Sequence, residues 1–499
     1  MAFYLSKSKY CQAIQCPKML WLSKYKSEEF DNSVMNQTVL DTGNEVGDLA
    51  MGLLGDYTEV PYGDLTEMLE ITKTLIENNT KIIAEASFSC DGLFCSVDIL
   101  KNLGNHQVEI YEVKSSTSVH SIYYDDVSYQ CYVLTRLGFK VIRACIVHIN
   151  NQYVRHGELD LKSLFQIEDV SHEVKTRLPE VEDNIKFLKN YMQQTCEPCN
   201  DIGPNCFSPY NCGFFGYCTK HLPKPNVFDV AGLRAAKKLD LYKSGVISFE
   251  DLAYSQVLPQ NRRQQVEFEV YDLPPHIETE PICEFLDTLF YPLYFLDFET
   301  FQPAVPQFDN SHPYEQITFQ YSLHYIDKEN GELKHKEFLA HPGDDPRRAL
   351  AEQLCEDIPM NACTTAYNMG FEKGRISSLA QLYPDLAPHL MNIHDNIHDL
   401  MIPFQKKYYY TKAMQGSYSI KYVLPALFPD DPTLDYHNLE GVHNGGEASS
   451  TFKQMAAMPP EELDIWRNHL LNYCGLDTFA MVKVWEKLNE VAGHAVTWR

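Results

Sequence analysis

Hydrophobic and polar residues alternate along four short stretches of the first third of the chain: KIIAEASF, LFCSVDIL, HQVEIYEVK and FKVIRACIVHI. Each is rich in β-branched or aromatic residues and bounded by turn formers, which predicts strands. Between the last two, DDVSYQCYVLTRLG spaces its apolar residues for a helix, and Gly138 marks its end. Strands, helix and strand in that order imply a mixed α/β domain over residues 1–221. The pattern then changes. PKPNVFDVAGLRAAKKLDLYKSGVISFEDLAY and the polar PQNRRQQ predict short helices joined by turns, a helical connector over 222–288. A second α/β run occupies 289–499. It opens on the apolar strand YPLYFLDFET and continues through strands ITFQYSLHYI and EFLAH, a helix over 346–357, the strand NACTTAYN and further helices.

The 499 residues suit about three domains. At 44% hydrophobic and 22% charged the chain is not mainly disordered. Its 42 Lys+Arg against 68 Asp+Glu leave a net charge of −26, which argues against a histone-like basic coat but not against a local basic groove. No run approaches about 18 apolar residues, so no membrane span is expected. Met1–Trp21 scatters Lys7, Lys9 and Lys18 among apolar residues, unlike a signal peptide. A cytoplasmic setting is therefore expected, where clustered cysteines point to metal rather than disulfides.

Three groups of residues carry candidate chemistry. On HQVEIYEVK, Glu112 and Lys114 are two apart and share a strand face, and LFCSVDIL offers Asp98. Two such carboxylates can hold Mg²⁺ or Mn²⁺ while the ammonium orients a water, although an E-x-K alone is usually a surface ion pair. Second, five cysteines fall between Cys196 and Cys218 in a segment of Pro, Asn and Gly that cannot form a long helix. Cys206, Cys212 and Cys218 are evenly spaced, and with Cys16 near the start they could close on one [4Fe–4S] cluster or Zn²⁺; Cys11, Cys196 and Cys199 are rival ligands. Third, LYFLDFET ends in Asp297 and Glu299 on one face, TTAYNMGFEKGRI carries Glu372 into a helix, and LNYCGLDTFAMVKVW sets Tyr473 one turn before Asp477. Four acidic groups gathered this way could hold two divalent cations, with the tyrosine positioning a water.

The first group, followed by a helix bearing Gln130 and Tyr132, resembles the PD-(D/E)XK nuclease superfamily in its RecB-like branch. The resemblance implies Asp98 and Glu112 as metal ligands, Lys114 as catalytic lysine and Gln130 as the helix glutamine beside them. In place of the branch's upstream histidine, TGNEVGDLAMGL offers Glu45 and Asp48. The one-plus-three cysteines resemble the iron–sulfur staple of RecB-like nucleases such as the CRISPR-adaptation exonucleases and AddB-type helicase–nucleases. This favours [4Fe–4S] on Cys16, Cys206, Cys212 and Cys218, with Zn²⁺ as the alternative. The third group resembles the DnaQ-like DEDD exonucleases, on an RNase H-like fold, in their tyrosine-type subgroup. It implies Asp297, Glu299, Glu372 and Asp477 as ligands and Tyr473 as the water-orienting group; Glu372 stands where that family has aspartate. Nearly the whole chain also resembles one bacterial family that joins the two kinds of domain.

Leu400 to Pro429 contains four lysines (Lys406, Lys407, Lys412 and Lys421) and no acidic residue, interleaved with Tyr408, Tyr409, Tyr410, Tyr418 and Tyr422. Such a segment can bind phosphates while its rings stack on bases, or it can simply pack tyrosines in a core. Lys406, Lys407, Lys412, Tyr418 and Lys421 are the candidate nucleic-acid contacts. Asp399, just before them, is a candidate support for the site. The expectation is a metal-dependent nuclease acting on DNA or RNA, exonucleolytic at the C-terminal site. The rival is a nucleic-acid-binding scaffold with degenerate nuclease folds.

Overall fold

The computed structural model describes residues 4–35 and 37–494. Two units divide the chain: one runs to Leu222 and takes in Pro303–Glu315, and the other holds Pro223–Gln302 and the chain from Gln316 onward. Each is built of sheet and helices, a mixed α/β fold.

The first unit has seven strands: β1 (Leu5–Ser6), β2 (Thr58–Glu59), β3 (Ile82–Cys90), β4 (Leu93–Gly104), β5 (Gln107–Lys114), β6 (Lys140–Ile149) and β7 (Phe165–Asp169). They form one sheet in the order β2-β3-β4-β5-β6-β7, with β1 joined to β4. Its helices are α1 (Lys7–Gln15), α2 (Pro17–Tyr25), α3 (Gln37–Ala50), α4 (Leu65–Glu77), α5 (Ser121–Arg136), α6 (Leu161–Leu164), α7 (Ser171–Tyr191) and α8 (Phe215–Thr219). Alternation on β5 sends Val108 and Ile110 into a core shared with Val127 and Val133 of α5, so Glu112 and Lys114 continue that face. On β3 and β4 the alternation reverses midway: Ile83, Ala86 and Phe88 share one core, as do Cys95, Val97 and Leu100. The reversal falls at Glu85 and Asp98. Glu85 has φ 55, a left-handed conformation rare for a side-chain-bearing residue, and the pair it would make with Asp98 drops out of the ladder while the register continues unchanged from Ala84↔Ile99 to Ala86↔Val97.

The second unit begins with α9 (Ala235–Lys243), α10 (Phe249–Ser255), α11 (Gln260–Tyr271), β8 (His276–Ile277) and α12 (Thr279–Leu286). The expected short helices are present, but they fall within the second unit. Val227, Leu241, Leu252 and Val266 form a small core of their own, while Phe268, Ile282 and Leu286 join the main one. There follow β9 (Leu293–Phe301), β10 (Ile317–Ile326), β11 (Lys334–Leu339), α13 (Arg347–Asp357), β12 (Cys363–Ala366), α14 (Gly370–Leu382), α15 (Ala387–Asp395), β13 (Ile397–Asp399), α16 (Ile402–Gln405), β14 (Tyr409–Tyr410), α17 (Ile420–Leu427), α18 (Gly445–Met455) and α19 (Pro460–Val491). The sheet order is β11-β10-β9-β12-β13, antiparallel as far as β9 and parallel beyond it, with β8 and β14 as a separate ribbon.

Period-two alternation on β9 divides two cores. Tyr294, Leu296 and Phe298 pack with residues of α13, α14 and α15, while Leu293 and Phe295 pack with Val484, Trp485 and Leu488 of α19. Asp297 and Glu299 have the parity of the α19 face. Gln320 Nε2 donates to Leu470 O at 2.8 Å and Ser322 Oγ lies 2.7 Å from Thr478 Oγ1, which fixes that helix on the sheet. The segment between β9 and β10, expected within the C-terminal domain, belongs instead to the first unit: Ala304 and Val305 enter a core with Tyr111 and Val147, and Arg155 donates to Pro306 O and Gln307 O, both at 3.0 Å. Among the described residues, no helix is long and apolar enough to cross a membrane.

Candidate functional sites

In the first unit β5 and α5 bring together three of the four expected groups. Lys114 Nζ donates to Glu112 Oε1 at 2.6 Å, and Gln130 Nε2 donates to Glu112 Oε2 at 2.6 Å. Asp98 stands beside them on β4, its Oδ2 accepting the Val113 N–H at 2.7 Å. Three further residues join the cluster. Asp126, one turn before Gln130 on α5, accepts from Lys114 at 2.6 Å and from Gln130 at 3.0 Å. Lys7 of α1 reaches Glu112 Oε1 at 2.8 Å and Oε2 at 3.1 Å, and lies 3.7 Å from both Asp98 Oδ1 and Asp126 Oδ1. Burial and the Asp98 and Glu112 charges push the Glu85 carboxyl up to about 7.

Two ammonium groups dominate this cluster. Burial and Asp98 push the Glu112 carboxyl up, but Lys114 and Lys7 outweigh them and leave it below its ordinary value. Burial works against the charge of Lys7, yet Asp126, Glu112 and Asp98 together hold it well above the usual lysine range. Glu45 and Asp48 are exposed on α3.

The four expected cysteines line one small cavity together with Met19, Leu22 and Phe214. Cys16 sits at the junction of α1 and α2, Cys206 ends a 3-10 turn, Cys212 is in the loop and Cys218 is on α8. Burial, then the neighbouring Cys206, Cys16 and Cys218, push the Cys212 thiol up to about 11. The rivals are elsewhere. Cys196 and Cys199 are exposed, and Cys11 feels Asp126, Lys114 and Lys7 of the carboxylate cluster.

In the second unit Asp297 and Glu299 of β9, Glu372 of α14 and Asp477 of α19 act on one another. Burial first, then Asp477, Glu299 and Glu372, hold the Asp297 carboxyl well above the carboxylate range. Burial and Asp477 do the same to Glu299, with Lys421 opposing. Burial with Asp399 pushes Glu372 up to about 8, and burial pushes Asp477 up to about 6 against hydrogen bonds from Tyr436 and Tyr473. The Tyr436 hydroxyl donates to Asp477 Oδ1 at 2.7 Å. Ligand atoms of Asp297, Glu299 and Cys474 lie within 4.8 Å of one another, and the Cys474 Sγ is 3.9 Å from Asp297 Oδ2. Glu372 Oε2 is buried with no hydrogen-bond partner. Asp399 accepts the N–H groups of Asn368 (2.9 Å) and Met369 (3.2 Å), bracing the turn into the helix that carries Glu372.

The lysine-rich segment divides. Lys421 acts on both Glu299 and Asp477 and lines an open cleft of about 1080 Å³ with Tyr436, Phe428, His443 and Asn444. Lys412 is instead paired with Asp272 (3.3 Å) and Glu269 (3.5 Å). The Lys407 ammonium lies 5.1 Å from the Tyr410 ring centre, and burial lowers its pKa to about 8. Lys406 is exposed. Tyr409 and Tyr410 are core residues, whereas Tyr418 and Tyr422 are exposed.

Sequence reasoning misses Tyr436, Cys474, Lys7, Asp126 and Glu85. A signal existed for Asp126, whose i, i+4 spacing to Gln130 puts both on one helix face.

Residues 294–419 match the model of a domain of unknown function, DUF2779. The matched stretch holds Asp297, Glu299 and Glu372 and ends before Tyr436, Tyr473 and Asp477. No curated protein matches the chain.

Proposed function

We propose that the chain is a metal-dependent nuclease whose hydrolytic centre is the cluster of Asp297, Glu299, Glu372 and Asp477, trimming DNA or RNA from an end. The observation that carries this reading is the grouping of Asp297 and Glu299, whose ligand atoms lie within 4.8 Å of each other and of that of Cys474, beside Glu372 and Asp477, with all four carboxyls pushed up. Uncompensated buried negative charge is costly, and a divalent cation offsets it. Mg²⁺ or Mn²⁺ suits hard carboxylate oxygens. The donor set fits: Glu372 Oε2 is buried and lacks a hydrogen-bond partner. Bound cations would supply an activated water and neutralise charge on the phosphodiester. The chain's own groups do the rest. Tyr436 and Tyr473 hold Asp477 in place, Tyr473 stands ready to orient the water, and Lys421 offers the cleft a cation for a backbone phosphate. The sheet order third, second, first, fourth, fifth supports an RNase H-like reading.

For the first unit we propose a PD-(D/E)XK-type site with Asp98 and Glu112 as ligands, Lys114 as catalytic lysine and Gln130 as its support. Its cysteine cavity would hold a [4Fe–4S] cluster. Four thiolates also suit a tetrahedral Zn²⁺, the alternative occupant. The lysines on Glu112 also favour a second reading of this unit alone, as a domain that grips DNA.

The test is digestion of end-labelled single- and double-stranded DNA and RNA in Mg²⁺ or Mn²⁺ by the wild-type chain and by Asp297→Ala, Asp477→Ala and Lys114→Ala. Metal-dependent shortening lost in the first two variants supports the reading. Intact substrate with wild-type protein under every metal sinks it and leaves the binding scaffold.

A further inference from the structure

Lys7 is not a loose surface lysine. It opens α1, and that helix is fastened at both ends. The preceding β1 pairs with β4, Leu5↔Leu93 and Ser6↔Phe94, and the Ser6 side chain caps the helix by accepting the Lys9 N–H. Tyr10 stacks on Tyr129 of α5 with ring centres 4.7 Å apart. At the far end Gln15 Nε2 donates to Asn205 O and Tyr210 O, both at 2.7 Å.

The ammonium so delivered completes the hydrogen bonding of Glu112. A carboxylate has about four lone-pair sites. Lys7 takes one on each oxygen, Lys114 takes a second on Oε1, and Gln130 a second on Oε2. Among these donors Lys7 also comes within 3.7 Å of Asp98 Oδ1, on the other carboxylate assigned to a metal. A divalent cation shared by Asp98 and Glu112 would have to enter where this amine lies.

We infer that Lys7 is a resident cation that competes with the divalent ion for Glu112 and Asp98 and so sets the metal affinity of the first unit. This rests on the reading of Asp98 and Glu112 as metal ligands. Lys7 is then a positioning residue: when no metal is bound it keeps the carboxylates together, and when metal binds its amine is released toward solvent or a phosphate.

Two measurements test it, neither reading phosphodiester cleavage. In a full chain carrying Asp297→Asn and Asp477→Asn to silence the second unit, Mn²⁺ is titrated calorimetrically with and without Lys7→Gln. The neutral side chain is expected to tighten Mn²⁺ binding at least about tenfold, as removal of a cation a few ångströms from the site demands, while Lys7→Arg stays near the parent. Equal or weaker binding by Lys7→Gln, or no Mn²⁺ bound by either chain, overturns the inference. The second measurement uses the unaltered chain, so it does not depend on the variant folding. Amines are acylated with and without Mn²⁺ and the Lys7 peptide is followed by mass spectrometry. Faster labelling of Lys7 in Mn²⁺ supports displacement, and unchanged or slower labelling contradicts it. Displacement of Lys7 in a chain that cleaves nothing would defeat the nuclease reading and leave this one standing.

Discussion

The two carboxylate clusters of this chain treat their charge in opposite ways. In the first unit Asp98, Glu112 and Asp126 meet Lys7 and Lys114, and Glu112 ends below its ordinary pKa. In the second, Lys421 opposes the rise at Glu299 and Asp477 and Arg375 opposes it at Glu372, yet Asp297, Glu299, Glu372 and Asp477 are all pushed up. Acidic residues gathered on a strand and a helix therefore do not by themselves define a metal site. What separates the clusters is whether the chain supplies its own cations. The self-neutralised cluster is complete as folded, and the other gains most from an external divalent ion.

The largest expected effect tests that asymmetry. Asp297→Asn or Asp477→Asn should lower end trimming by about a thousandfold, the scale of several kcal/mol of lost charge stabilisation. Lys114→Ala should leave trimming within about twofold. The measurement is initial rates on end-labelled strands. If Lys114→Ala abolished trimming while Asp297→Asn did not, the roles of the two clusters would be reversed.

Next comes the tyrosine frame. Tyr436→Phe removes the 2.7 Å hydrogen bond to Asp477. A hydrogen bond to a charged group contributes about 1.5–3 kcal/mol, so a loss of about ten- to a hundredfold in kcat is expected, with the fold intact by circular dichroism. Full activity would show that Tyr473 alone holds Asp477.

The position of Tyr436 marks where the sequence stops being readable. Asp297 with Glu299, and Tyr473 with Asp477, follow from strand and helix periods, because a regular element fixes which residues share a face. Tyr436 lies between α17 and α18 in short 3-10 turns, where no period applies. Lys7 meets Glu112 across 105 positions, and its own helix pattern says nothing about that meeting. The reversal at Glu85 and Asp98 is hidden for a different reason: a single residue at positive φ turns the pleat over, and glutamate does not announce that conformation. The prolines of QPAVPQFDNSHP signal a break after β9 but not that the segment packs with the first unit. The cysteines were legible because composition and spacing carried the signal.

The clusters should also respond oppositely to pH. Glu372 rises to about 8 in the folded chain against about 4.3 when unfolded. Between those values the folded state binds the extra proton, so stability falls as pH rises through the window. Glu112 is depressed, so its contribution is present above the unfolded value and lost as pH drops through the folded one. The metal-free chain should therefore show a Tm that declines by several degrees from pH 5 to 8. Glu372→Gln should flatten the decline, and saturating Mg²⁺ should cancel it. A metal-free Tm that rises across this range would contradict the raised Glu372 carboxyl, because the Glu112 contribution changes only below about pH 4.3.

The smallest effect concerns the lysines that look alike in sequence. Lys421, on the first turn of α17, faces the cleft and acts on Glu299 and Asp477, whereas Lys412 is paired with Glu269 and Asp272. A phosphate approaching Lys412 must compete with two carboxylates, while one approaching Lys421 meets an ammonium whose charge already serves the cleft. Lys421→Gln should therefore raise KM about threefold with kcat nearly unchanged. The slope of log KM against log salt should fall by about 0.7, the loss of one contact to a single strand. Lys412→Gln should change neither. Equal effects of the two substitutions would mean that the strand follows the whole lysine-rich segment and that the ion pairs on Lys412 open when it binds.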